Sequence, residues 1–311
     1  MWLDNYFSDL INDFKTSSRN KLFSNMKNKF LTKVPIPIQD SLSAYWDKYP
    51  YWGRLSFKDN DFDILHKKAG VFKDYFDDFV WLYERLADCR SKFVLYAILN
   101  NFYNFDFLNL KKAIETIYSQ YFDLDILPKL NDEVFVDVGA YYGETTIDFV
   151  RCFGCDCYKK IYCYEITPNV IEKMKQNLKN YQNIEIVNKA VGDGKGKVFL
   201  EKNLTSDSAN QTSVLGDIEI EQVSLDDDIK DKISMIKMDI EGGEKAALKG
   251  CEEHIKKDFP NLMLSVYHNN TDLFEIPRMI ENLRDDYKFY LRYYGGNLYA
   301  TEIVFYCIKT F

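Results

Sequence analysis

The chain has 311 residues, a formal net charge of −8 and 16% aromatic content, with 23 Tyr and 23 Phe. That length allows one or two domains, each able to bury a sizeable core. The acidic balance argues against a nucleic acid substrate, because a protein that follows phosphates needs a basic face.

The amino-terminal part reads as helical. Leu3, Tyr6, Phe7, Leu10, Ile11 and Phe14 recur at helical spacing and form one apolar stripe. Lys33 to Ile38, with Pro35 and Pro37, reads as a break and an extended linker. Helical patterning resumes from about Phe72 to Tyr121, chiefly over Asp77–Leu86 and Ser91–Tyr103. Residues 1–125 are therefore expected to form a helical module that packs over a ligand cleft or makes a homodimer contact. Asp4 and Asp9 interrupt the first apolar positions, so no secretory segment is expected there. No run reaches the ~20 apolar residues that a spanning helix needs. A cytoplasmic protein without a membrane span is the expectation.

From residue 126 onward the pattern changes to alternating strands and helices. Val134, Phe135, Val136 and Val138 form a short apolar run, followed by Gly139 and Gly143 and then a helical continuation from Thr145 to Val150. This is a buried parallel strand turning sharply into a helix. The glycines let backbone approach a ligand, and the helix start offers N–H groups without intrahelical partners. Asp137 precedes the first glycine, and the spacing is G-x-x-x-G, which is neither the dinucleotide fingerprint nor a phosphate loop. A carboxylate at a strand tip repels pyrophosphate but suits a ligand with an ammonium and a sulfonium. That describes S-adenosylmethionine.

Two later segments repeat the arrangement. The strand Ile161–Tyr164 ends in Glu165, about twenty residues past the glycine turn, where doubly wound sheets hold a ribose diol. Pro168 then suits the first turn of a helix over 169–179. The strand from Ile233 to Met238 ends in Asp239 and Glu241, then turns through Gly242 and Gly243 into a helix. Strands are further expected at 183–188 and 261–267, as a hairpin pairing 196–200 with 212–215, as a short run ending at Val223, and as closing runs at 287–294 and 301–308. Helices are expected at 244–257 and 275–284. This order implies a largely parallel sheet with right-handed crossovers and an antiparallel edge.

The strings at 134–145, 164–169, 188–193 and 236–244 resemble the FkbM-type S-adenosylmethionine-dependent methyltransferases, as do 265–277 with Tyr290-Leu-Arg292 after them. The resemblance extends to Trp81–Asp88 and Gln120–Asp123, covering roughly residues 80 to 311. It implies a Rossmann-like class I methyltransferase core, α/β with a mixed, mostly parallel seven-stranded sheet over 126–311. It also implies methylation of oxygen nucleophiles on sugars, glycans or natural products, such as polysaccharide precursors. The acceptor is left unnamed, and N- or carboxyl acceptors stay open. A nicotinamide oxidoreductase on a similar sheet and a non-catalytic cofactor-binding scaffold are the alternatives.

Position along the sheet assigns the cofactor contacts. Asp137, Gly139, Ala140 and Gly143 frame the methionine end, with Tyr142, Glu144 and Thr145 beside them. Glu165 holds the ribose, Ala190 and Val191 border adenine, and Asp193 reaches toward its amino group. Asp239 sits below the sulfonium, and Gln120 and Tyr121 cap the pocket. An oxygen acceptor must also lose a proton, usually to His, Asp or Glu. Of three histidines, His66 and His254 read as surface residues, while His268 follows an apolar strand on the ligand rim. His268 is the candidate base or acceptor-orienting residue. Asp239 is its rival, or a metal ligand with Glu241; no metal site is otherwise expected. Tyr267 and Arg292 are candidates for acceptor contacts. The seven cysteines, including Cys152, Cys155, Cys157 and Cys163, read as ordinary reduced thiols.

Overall fold

A computed structural model describes residues 2–49, 51–128, 131–201, 211–213 and 218–309. The chain divides into two compact units. The first comprises Met1–Thr116, Val266–Arg278 and Phe289–Val304; the second comprises Ile117–Ser265, Met279–Lys288 and Phe305–Phe311.

The first unit is dominated by seven helices. Helix α1 (Trp2–Thr16) buries Leu3, Phe7, Leu10, Ile11 and Phe14, as the spacing predicts, but Tyr6 stays 55% exposed at the edge of the stripe. Helix α2 (Arg19–Lys33) starts at the Ser18 cap, whose hydroxyl accepts the Lys21 N–H. The expected proline linker is only a two-residue break. Pro35 caps and Pro37 opens helix α3 (Ile36–Lys48), because a first turn loses nothing from a missing N–H. Helices α4 (Asp63–Asp74), α5 (Phe76–Arg85), α6 (Cys89–Asn104) and α7 (Phe107–Ala113) follow. Asp88 and Asp106 cap the last two through the N–H groups of Ser91 and Asn109. The core is aromatic: Phe14 stacks on Phe72 at 4.4 Å and meets Tyr103 edge-on at 5.2 Å. Each such ring contributes about 1.5–3 kcal/mol through burial.

The second unit contains β1 (Glu133–Val138), β2 (Tyr158–Tyr164), β3 (Ile184–Val187), β8 (Met235–Met238) and β9 (Asn261–Ser265), all paired in parallel. The full seven-stranded sheet runs β10-β11-β9-β8-β1-β2-β3, with β10 at Tyr287–Tyr293 and β11 at Ile303–Lys309. Strand order reverses at β1, whose neighbours are β2 and β8. In open α/β sheets a ligand crevice forms outside the carboxyl ends at such a switch point. Every residue of β1 is buried, which is why Val134, Phe135, Val136 and Val138 are apolar on both faces of the strand rather than on alternate positions.

A second sheet, β4-β7-β5-β6, is built from β4 (Ala190–Val191), β5 (Gly196–Glu201), β6 (Gln211–Ser213) and β7 (Ile218–Val223). The expected hairpin is present as antiparallel β5 and β6; residues 214 and 215 of that expectation lie outside the described residues. The crossover helices are α8 (Glu144–Phe153) and α9 (Pro168–Leu178). A short helix α10 (Leu225–Asp228) precedes β8, and α13 (Asp272–Leu283) precedes β10. The expected helix 244–257 is split into α11 (Glu244–Lys249) and α12 (Glu252–Asp258). Gly250 ends α11 and lies so close to the Gly192 carbonyl that a Cβ would sit 1.9 Å from its oxygen. Among the described residues no helix is long and apolar enough to cross a membrane.

Candidate functional site

The site is built where β1 and β8 end. Asp239 donates its N–H to the Val138 carbonyl at 3.0 Å, extending the ladder one residue past β8. Gly139 has φ +80°, and a Cβ there would lie 1.9 Å from the Asp239 carbonyl oxygen. Only glycine fits both constraints. The N–H groups of Gly139 and Ala140 both donate to the Tyr164 carbonyl at 3.0 Å, which ties the turn to the tip of β2. Tyr141 (φ 49°) and Gly143 (φ 85°) complete the turn into α8, and no side chain caps this helix. The first N–H groups of α8, starting with Glu144 and Thr145, therefore face the turn uncapped.

Asp137 is fully buried, and its carboxylate is already engaged. The Lys237 ammonium lies 3.1 Å from Oδ1, and the Thr146 hydroxyl donates to Oδ2 at 3.0 Å. Asp137 and Lys237 are direct partners in the β1–β8 register. Lys237 also donates to the carbonyls of Val138 (3.3 Å) and Gly139 (2.7 Å), so it clamps the backbone of the turn. Burial alone would depress the Lys237 ammonium, but Asp137, then Asp239 and Glu165, outweigh it and hold its pKa above the ordinary lysine value. Sequence reasoning missed Lys237 and Thr146. The available signal was a lysine inside an otherwise apolar strand, which demands a buried partner.

Glu165, at the tip of β2, accepts three backbone N–H groups. Oε1 receives Ile166 and Thr167 at 2.8 Å each, and Oε2 receives Tyr141 at 3.0 Å. A carboxylate offers about four acceptor positions, so roughly one remains for a ligand hydroxyl. The Asn188 amide donates to the Glu165 carbonyl at 2.9 Å. Ala190 is buried in a small cluster with Ile220, against which Ile166 and Val198 pack, whereas Asp193 is exposed on the following turn. Ile166 is thus an apolar wall residue that the sequence reading did not single out. Tyr142 follows in the same turn: its ring packs on Tyr141 at 3.9 Å, and its hydroxyl accepts from Lys173.

Asp239 is held by a short polar chain. The Tyr121 hydroxyl donates to Asp239 Oδ2 at 2.7 Å, lies 3.2 Å from the Ser265 hydroxyl, and accepts from the Gln120 amide at 3.2 Å. Tyr121 is buried at φ 71°. Glu244, also buried, accepts the Ile240 N–H at 2.9 Å and so fixes the turn after Asp239. Asp137, Gly139, Ala140, Gly143, Glu165, Asp239, Gln120 and Tyr121 are therefore connected by hydrogen bonds or direct backbone approach within one unit.

His268 belongs to the first unit, three residues beyond the end of β9. It is 2% exposed and packs against the rings of Tyr267 (4.1 Å) and Tyr51 (5.7 Å, edge-on). Arg292 does not serve as an acceptor contact. It is 2% exposed and committed to Asp88 (2.9 Å) and the Ser91 hydroxyl (2.8 Å) at the start of α6. His66 is exposed, and His254 pairs with Asp258 one turn away at 2.6 Å. All seven cysteines are free thiols, and burial pushes Cys157 up to about 11.

A family model described as the methyltransferase FkbM domain matches residues 137–289. Among solved structures the chain is similar to a methyltransferase FkbM from Methylobacillus flagellatus KT, at 25% identity and a TM-score of 0.66, over 77% of this chain and 60% of that one. The chain thus spans about three fifths of that relative's length. It is also similar to an rRNA methylase from Streptococcus thermophilus, at 15% identity and a TM-score of 0.40, over 59% of this chain and 90% of that one. A fibrillarin from Aeropyrum pernix with natively bound S-adenosyl-L-methionine aligns at 11% identity and a TM-score of 0.36, over 58% of this chain and 69% of that one. No curated protein matches the chain.

Proposed function

The chain belongs, over residues 137–289, to the FkbM methyltransferases, and from that premise we propose that it transfers a methyl group from S-adenosylmethionine to a hydroxyl of a sugar, glycan or natural product. The observation that carries this reading is the junction of three strand tips. Gly139 rests on Asp239, while Glu165 receives the N–H of Tyr141 from the same turn. Such a junction suits a nucleoside that bears positive charge and no phosphate.

The residues fit that cofactor. The uncapped start of α8 suits a carboxylate, which would be the one on the methionine end. Glu165 keeps one acceptor position for a ribose hydroxyl. Ile166, Ala190 and Val191 offer an apolar border for adenine, with exposed Asp193 beyond it. Asp239, oriented by Tyr121 and Gln120, is assigned to the region of the sulfonium. Asp137 works through Lys237, holding the glycine turn in shape rather than meeting the ligand ammonium itself.

When bound, the cofactor supplies an electrophilic methyl group. The chain's own task is to orient an acceptor oxygen in line with it and to take the hydroxyl proton. His268 is the proposed proton acceptor, with Asp239 as the other carboxyl-end group able to serve.

Calorimetric titration with S-adenosylmethionine and with NAD tests the cofactor. Saturable binding of the first alone supports the reading, and binding of NAD in its place overturns it. Label transfer from methyl-tritiated cofactor to a panel of sugars and oligosaccharides tests the acceptor. In that assay, His268→Gln should slow turnover while leaving cofactor affinity intact; unchanged turnover removes His268 from the chemistry.

A further inference from the structure

The charge of the chain is unevenly placed. Between Lys15 and Gln39 stand six Lys or Arg and no Asp or Glu, so this stretch carries +6 and the rest of the chain −14. Helix α2 fills most of it. Leu22, Met26 and Phe30 are buried, while Asn20, Lys21, Ser24, Asn28 and Leu31 are exposed. Arg19 is neutralised by Asp74 of α4, whose other acid, Asp63, pairs with Lys67. The Lys29 ammonium is half-buried, 3.6 Å from the ring centre of Tyr103. Lys15, Lys21 and Lys33 have no ion-pair partner among the described residues, and Lys27 donates to the neutral Asn60 side chain at 3.1 Å. The charge of these four lysines is therefore uncompensated.

Two large aliphatic side chains lie in the same stretch. Leu31 is 40% exposed, one turn beyond Lys27 on the same face of α2, and Ile36, at the start of α3, is 66% exposed. Lysines alone would suit any polyanion. Exposed aliphatic carbon gains little from a nucleic acid or an acidic polysaccharide, but it gains by leaving water for acyl chains. We propose that α2 and the start of α3 dock on an anionic lipid surface. The lysines meet the headgroup phosphates, and Leu31 and Ile36 enter the boundary between headgroups and acyl chains. The attachment is peripheral, since among the described residues no helix is long and apolar enough to cross a membrane.

The test is co-sedimentation of the full chain with vesicles of phosphatidylcholine, alone or with about 30 mol% phosphatidylglycerol. The expected result is binding to the anionic vesicles alone, at least about tenfold weaker in about 0.5 M than in about 0.1 M NaCl. Each lysine near such a surface is worth about fivefold, so Lys21→Gln/Lys27→Gln/Lys33→Gln should weaken binding about a hundredfold. Leu31→Gln/Ile36→Gln should weaken it at least about tenfold while the salt dependence persists. All five positions are at least partly exposed and glutamine is a good helix former, so far-UV circular dichroism should be unchanged. Heparin, titrated in the same buffer, stands for an acidic polysaccharide. The proposal is overturned if the anionic vesicles bind no chain, if neutral vesicles bind it as tightly, if either variant binds like wild type, or if heparin binds more tightly than the vesicles. The lipid and salt comparisons use the wild-type chain, so they decide the matter even where a variant fails to fold.

Discussion

Replacing Lys237 by Met is the sharpest perturbation of the site's frame. The side chains are similar in length, so the substitution removes charge with little change in volume. Asp137, fully buried, would then carry an uncompensated charge. Breaking a buried pair from one side costs about 3–5 kcal/mol. The carbonyls of Val138 and Gly139 also lose a donor, at about 0.5–1.5 kcal/mol for each bond. Because domains are stable by only about 5–15 kcal/mol, this variant should lie near unfolding. Adding Asp137→Asn removes the stranded charge while keeping an acceptor for the Thr146 hydroxyl. The double variant should therefore recover at least about 2 kcal/mol relative to Lys237→Met alone. Urea unfolding followed by far-UV circular dichroism reads both changes. Tryptophan fluorescence does not serve, because Trp2, Trp46, Trp52 and Trp81 all lie in the first unit. If Lys237→Met loses less than about 1 kcal/mol, or if the double variant is no more stable than the single one, the pair does not hold the turn as argued.

Other outcomes follow from the same geometry. Gly139→Ala places a Cβ 1.9 Å from the Asp239 carbonyl oxygen at φ +80°, so calorimetry should show cofactor binding lost; Gly194→Ala, with nothing within 4 Å, is the matched control and should change little. Glu165→Gln turns one of its two acceptor oxygens into a donor facing backbone N–H groups, costing about 1–3 kcal/mol, and should weaken S-adenosylmethionine binding at least about tenfold in the same titration. Lys68 is buried on α4, and its burial makes stability depend on pH. Its folded pKa of about 7 lies below the ordinary lysine value of 10.5, so between those values the unfolded chain holds a proton that the fold lacks, and stability rises with pH. Lys68→Met should be more stable than wild type at pH 7.5, and its advantage should shrink by about 2 kcal/mol by pH 9; a constant advantage in urea melts contradicts the assignment.

The parts of this fold that were legible in the sequence are those where one residue type meets one steric demand. Gly139 and Gly143 announce positive φ, Glu165 stands directly after the end of β2 as the apolar run predicts, and the α1 stripe repeats at helical spacing. The misread parts are those where long-range partners decide. Pro35 and Pro37 look like breakers until they stand at a helix start, where their missing N–H is harmless. Arg292 looks available as a ligand contact until Asp88, 204 residues earlier, takes its guanidinium. Residues 244–257 carry a continuous helical pattern, and only the close approach of Gly192 to Gly250 shows why it divides.

Lys237 and Asp137 show how the readable and unreadable parts depend on each other. Each sits in an apolar strand, and neither strand alone says which charge it will meet. The parallel register sets Asp137 beside Lys237, and the same register brings the residues after them, Gly139 and Asp239, into contact at the rim. A slip of one residue would turn these side chains to opposite faces of the sheet. The charge that it stranded would cost several kcal/mol, more than a single apolar contact could return. The buried pair therefore selects the register, and the register in turn sets the spacing of the acids at the strand tips. Lys237, which fixes the alignment, stands two residues before Asp239, the acid whose place at the rim depends on it, so one short segment carries both.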